Sequence, residues 1–228
     1  MTTSPGDLAG PTLRVTEIYR SLSGESTRAG WPCTLVRLTG CGLRCRYCDT
    51  AYAFHGGTER ALDEVLAEVR ALGDDLVLLT GGEPLEQPAA AALLERLAAG
   101  GSTTMVETGG HVDISMARAA TTIVLDLKAP GSGMEGRNDW SNLDRLRPTD
   151  EVKIVLTSRA DYDWARDVVR QRTSGGRPLT EICPVQFSPA HGELDPAALA
   201  AWILADRLSV RLNLQLHRLL WPLAERGV

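Results

Sequence analysis

Apolar positions along this chain follow two rhythms. Short runs rich in β-branched and aliphatic residues predict strands at 13–18, 34–39, 76–80, 103–107, 122–127, 152–156, 182–187 and 210–215. Between them, apolar residues three and four apart predict helices, most clearly at 59–72, 89–99, 160–172 and 196–206. Leu62, Val65, Leu66, Val69 and Leu72 make one such stripe, which is core packing without chemistry. Strand–helix alternation predicts an α/β fold with a mostly parallel sheet and helices outside, because parallel strands need crossover connections. Those crossovers are expected to be right-handed. No low-complexity linker divides the sequence, so residues 1–228 read as one domain, with 1–10 as a disordered tail.

In such folds chemistry collects at the carboxyl ends of the strands. The unusual residues of this chain fall there. Segments 40–50, 81–84, 108–110, 128–133 and 188–192 each follow a predicted strand and are polar or glycine-rich. Five loops of this kind at one rim predict a single composite site.

Composition narrows the class. With 228 residues, 43% hydrophobic and 23% charged, the chain can bury a sizeable core. A net charge of −5 without a basic stripe argues against nucleic acid and against an anionic membrane surface as partners. No apolar stretch approaches the ~20 residues of a membrane span. The first seven residues lack the basic-then-apolar pattern of a signal peptide. A cytoplasmic enzyme is expected.

Five cysteines, an odd number, do not suit a secreted disulfide framework. Cys33 and Cys183 lie in apolar segments and are expected to be small buried hydrophobes. The other three fall in Gly40-Cys41-Gly42-Leu43-Arg44-Cys45-Arg46-Tyr47-Cys48-Asp49-Thr50. Three thiolates at spacings of four and three can converge on one metal centre, and soft ligands favour zinc or an iron–sulfur cluster. Structural zinc takes four ligands, usually as two close pairs, and only the Cys45/Cys48 pair is present. A [4Fe–4S] cluster held by three cysteines leaves one iron open for a substrate or cofactor.

Cys41, Cys45, Tyr47 and Cys48 resemble the CxxxCxxC signature of the radical S-adenosylmethionine (SAM) superfamily, and Thr80-Gly81-Gly82-Glu83-Pro84 resembles its GGEP motif. By itself the second motif reads equally as a strand-to-helix turn with proline at the helix start. The resemblance implies that SAM chelates the open iron, with Glu83 near the methionyl ammonium. Further stretches resemble the 7-carboxy-7-deazaguanine synthase family, from about Val15 to the region of His217. They are 17–25, 36–41, 48–50, 80–84, Glu107-Thr108 and 214–217. That family implies a pared-down, partial β/α barrel of the radical SAM type. It also implies conversion of 6-carboxy-5,6,7,8-tetrahydropterin to 7-carboxy-7-deazaguanine with loss of ammonia, an electron donor such as flavodoxin, and a homodimer.

The same resemblance implies residue roles. Thr50 would hold Mg2+, an oxygen ligand for a hard cation. Tyr47, Asp49, Gly82, Asp126, Lys128, Gln186 and Ser188 would contact SAM. Leu22, Ser23, Gly24, Glu25, Arg37, Thr80 and His217 would contact the pterin. From residue type alone, Arg37 within a strand needs a partner, either a bound carboxylate or an internal ion pair to Glu17 or Glu107. Asp126 can equally be just the partner that a buried Lys128 requires. His217, read in a strand-end pattern, can also be a satisfied core histidine. The chain departs from the family in having Ser23 where a glutamine is common. Pro222, which can end such chains, is here followed by six more residues. Two other readings stay open: a glycyl-radical-enzyme activase, and a non-catalytic metal or electron-transfer module.

Overall fold

The computed structural model describes residues 10–117, 121–171, 176–224 and 226–227. Nearly all of the expected tail at 1–10 lies outside the described residues, as does Arg172 at the end of a predicted helix. The described residues build nine strands: β1 (Thr12–Leu22), β2 (Pro32–Leu38), β3 (Thr58–Ala61), β4 (Leu76–Gly81), β5 (Thr103–Thr108), β6 (Thr122–Lys128), β7 (Glu151–Leu156), β8 (Val185–Pro189) and β9 (Arg211–Leu212). They form one unclosed sheet in the order β3-β1-β2-β4-β5-β6-β7-β8-β9. Pairing is parallel from β2 to β9, while β1 runs antiparallel to both β2 and β3. Helices α1 (Leu62–Leu72), α2 (Ala89–Ala99), α3 (Arg159–Arg170), α4 (Pro196–Asp206) and α5 (Leu216–Leu220) complete the fold. None of the described helices is long and apolar enough to cross a membrane.

The two faces of the sheet differ because side chains alternate along each strand. One face carries Val36 and Leu38, Val77 and Leu79, Ile123, Leu125 and Leu127, Val152, Ile154 and Leu156, then Val185 and Phe187. These residues pack with Leu66, Val69, Leu93, Leu97, Tyr162 and Leu199 of α1 to α4 into the main core. Opposite lies a smaller apolar floor of Leu35, Leu78, Met105 and Val124. Two residues further along the same strands stand Arg37, Thr80, Glu107 and Asp126. Lys153 pairs in register with Asp126 on one side and Gln186 on the other. The second face therefore begins apolar and ends in a polar layer at the carboxyl rim.

Several expected elements come out differently. Residues 59–61, read as the start of α1, extend β3, whose Thr58–Ala61 pairs antiparallel with β1. Glu59, Arg60 and Ala61 suit a helix, but edge pairing supplies backbone partners that a first helical turn lacks. The eighth expected strand shortens to Arg211–Leu212, and Leu216–Leu220 turns into α5, so His217 is helical and does not end a strand. Residues 182–184 close a turn before β8, whose start moves to Val185. Alternation is also incomplete. Between β5 and β6, and between β6 and β7, the described residues make only short 3-10 turns. Their glycines, prolines and short apolar runs offer no helical stripe to bury.

Candidate active site

A cavity of about 500 Å3 opens over the polar end of the sheet, lined from the rim loops expected to converge. Cys41, Cys45 and Cys48 all border it, each partly exposed and none in a disulfide. Their loop is fixed by backbone ties. Gly40 N–H donates to Ala53 O at 2.8 Å, Glu83 N–H to Gly40 O at 2.7 Å, and Arg46 N–H to Ser132 O at 3.0 Å. Gly42 N–H donates to the Glu86 carboxylate at 2.8 Å. Gly82 permits this approach, since a Cβ there would run into the Gly40 carbonyl and the Cys41 Cβ. Gly81 adopts φ +152° against Leu38 for the same reason. Burial pushes the Cys41 thiol up to about 11 and raises those of Cys45 and Cys48. Among the described residues, no three His, Cys, Asp or Glu side chains close on one point as a single-ion site. The three thiols instead ring one cavity, a soft donor set that fits an iron–sulfur cluster.

Glu83 does not face that cavity. Its buried carboxylate accepts from Leu85 N–H at 3.0 Å, Thr108 Oγ1 at 2.9 Å and Gly109 N–H at 2.7 Å. Its acceptor sites knit the turns after β4 and β5 together. Gly82, by contrast, lines the cavity directly.

The polar layer is a chain of ion pairs. Lys153 Nζ lies 2.6 Å from Glu25 and 3.5 Å from Asp126, and Lys128 Nζ lies 3.1 Å from Asp126. Burial works against a charged Lys153, but Glu25 and Asp126 more than offset it and hold its pKa well above the usual value. Asp126 is thereby held between the two lysines, with Oδ1 toward Lys128 and Oδ2 toward Lys153. Lys153 was not singled out in the sequence, though a lone lysine inside the apolar run of β7 was a signal.

Arg37 takes the ion-pair option, with Nε donating to Glu17 at 2.8 Å; Glu107 instead accepts from Thr80 Oγ1 at 2.8 Å. Tyr52, also missed in the sequence, donates to the same Glu17 oxygen at 2.7 Å. At the mouth, Thr50 Oγ1 donates to Asp49 at 2.9 Å, and Asp49 also faces Gln215 at 3.2 Å and His217 Nε2 at 3.7 Å. His217 borders the cavity, so it is no core histidine. Its ring presses on Gly24, where a Cβ would sit 2.6 Å from Nδ1. Leu22, Gly24, Glu25, Tyr47 and Thr80 line the cavity as well.

Ser23, Gln186 and Ser188 stand behind the lining. Ser23 Oγ donates to Glu25 O at 2.9 Å, Ser188 Oγ to Asn213 O at 3.1 Å, and Gln186 donates to the buried Glu151. All three side chains are buried and make these hydrogen bonds within the chain.

The radical SAM superfamily model matches residues 35–133, which hold the cysteine loop and the turn after β4. The 7-carboxy-7-deazaguanine synthase of Koribacter versatilis is 41% identical over 230 residues, covering 95% of this chain and 100% of its own. That of Chlorobaculum tepidum is 41% identical over 219 residues, covering 95% and 97%. Among solved structures, QueE from Escherichia coli superposes with a TM-score of 0.72 over 90% of this chain and 94% of its own, at 19% identity. SuiB from Streptococcus suis bound to S-adenosylmethionine gives 0.52 over 76% and 44%, at 14% identity. QueE shares the partial barrel with this chain.

Proposed function

The chain belongs to the 7-carboxy-7-deazaguanine synthase family of radical SAM lyases, and we propose that it converts 6-carboxy-5,6,7,8-tetrahydropterin to 7-carboxy-7-deazaguanine with loss of ammonia. Family membership implies SAM and a [4Fe–4S] cluster. The observation that carries the substrate reading is a polar, charge-paired layer sharing one cavity with the cysteine loop. A small polar substrate fits there, whereas a glycyl-radical-enzyme activase needs an open groove for a protein loop.

When bound, the cluster and SAM would supply the radical chemistry for hydrogen abstraction from the pterin. The chain itself binds and orients. Cys41, Cys45 and Cys48 would hold the cluster. Gly82 lets backbone approach the cofactor, with Asp126 and Lys128 as its polar contacts and Tyr47 beside it. Glu25, fixed by Lys153, accepts from the guanidine-like edge of the pterin, and Thr80 and His217 add polar contacts. Thr50, with Asp49 at 2.9 Å, offers oxygen donors for Mg2+ next to the substrate carboxylate. Arg37 keeps a positive wall on that side. A homodimer and a flavodoxin-type electron donor complete the reading.

Anaerobically reconstituted protein given the carboxytetrahydropterin, SAM, Mg2+ and a reductant should form the deazapurine. Thr50→Ala should lose stimulation by Mg2+ while keeping the brown cluster absorption. No product beside brisk activation of a glycyl radical enzyme would reverse the assignment.

A further inference from the structure

The segment after Pro222 returns to the cavity. Arg226 lines it, with its guanidinium carbon 4.5 Å from the centroid of the Tyr52 ring. Arg37 approaches the same ring at 5.8 Å. One tyrosine thus carries two guanidinium groups, with Glu17 as the carboxylate beside them. Glu17 is already engaged, since one oxygen accepts from both Arg37 Nε and Tyr52 Oη. Among the described residues no carboxylate accepts from Arg226. Two cations against one anion leave a positive charge at this wall of the cavity.

We infer that Arg226 is a specificity-determining substrate residue that binds the carboxylate of an anionic heterocycle. This inference rests on the pterin reading and names what distinguishes that substrate from its uncharged relatives. Stacking on the electron-rich face of Tyr52 orients the guanidinium plane while leaving its N–H groups free. A planar fork of that kind matches a carboxylate with two parallel hydrogen bonds, which a lysine cannot reproduce. Tyr52 in turn is held by Glu17, which also fixes Arg37, so one half-buried acceptor sets the positions of both cations. A pterin without the 6-carboxyl gives Arg226 nothing to pair with.

Equilibrium dialysis of cluster-loaded protein tests this with two stable probes, 6-carboxypterin and pterin. Wild type should prefer 6-carboxypterin. Arg226→Ala should weaken 6-carboxypterin about tenfold or more, the size expected of a charge-assisted hydrogen bond, and leave pterin unchanged. Arg226→Lys should restore only part of the loss. Unchanged binding of 6-carboxypterin to Arg226→Ala, or equal weakening of both probes, overturns the assignment while the pterin reading survives. A wild-type protein that binds neither probe instead defeats the pterin reading, and this inference with it.

Discussion

At the scale of single residues, environment separates five chemically identical thiols into two groups. Cys33 and Cys183 are 0% and 5% exposed, and burial pushes each thiol up to about 12. The thiolate is the nucleophile, but a reagent must first reach it, and only Cys41, Cys45 and Cys48 are partly exposed. In iron-free native protein at pH 8, a maleimide should therefore label Cys41, Cys45 and Cys48 and spare Cys33 and Cys183, which packing shields, until denaturant is added. Labelling of the first group should quicken as pH rises, since Cys41 too sits above its usual value, at about 11. Peptide mass mapping gives the readout, and rapid native labelling of Cys183 would contradict its packing. The lesson of Glu83 lies at the same scale. A carboxylate next to a glycine pair looks like a ligand contact, yet Glu83 also has a structural role, accepting from Leu85 N–H, Thr108 Oγ1 and Gly109 N–H.

Elements hold the site together across long stretches of sequence. The loop between β1 and β2, which carries Glu25, turns through Ser26 at φ +79°. It is clamped by Glu151 of β7, whose carboxylate accepts from Thr27 N–H at 2.9 Å and from the Thr27 hydroxyl. Gln186 of β8 donates to the same buried carboxylate. Thr27→Val removes one donor from a buried anion and should cost about 1–3 kcal/mol of stability. On the proposed assignment of the loop to the pterin and of Asp126 and Lys128 to SAM, KM for the pterin should rise several-fold while KM for SAM holds. Thermal melting and steady-state kinetics check both halves, and equal changes in the two KM values would disprove the division.

For the whole molecule, the decisive feature is a sheet with one dry face and one charged rim. Neighbouring residues of β7 serve opposite sides. Ile154 is fully buried in the helix-facing core, whereas Lys153 reaches into the polar layer. Ile154→Ala should cost about 2–5 kcal/mol, seen as a lower urea midpoint, without altering pterin affinity in the folded protein. Lys153→Met strands Glu25, a 7% exposed carboxylate, without its cation. It should lower stability and also weaken pterin binding at least tenfold, because Glu25 then favours its neutral form. A Lys153→Met protein with wild-type binding would show that the ion pair supports folding only.

Periodicity and spacing sufficed for most of the architecture, because they are local. Strand and helix rhythms marked eight of the strand positions and the four longer helices, and glycine-rich segments after strands marked the rim. The three cysteines were equally evident, since their spacing lies within one loop. Edge pairing of Thr58–Ala61, the helical turn at His217 and the missing crossover helices depended on partners distant in sequence. So did the polar layer. Lys153 meets Glu25 across 128 residues, and Arg226 meets Tyr52 from the far end of the chain. Which face a side chain takes follows from strand register, and whether a buried charge finds a partner follows from the register of its neighbours. Only the assembled sheet sets those two quantities.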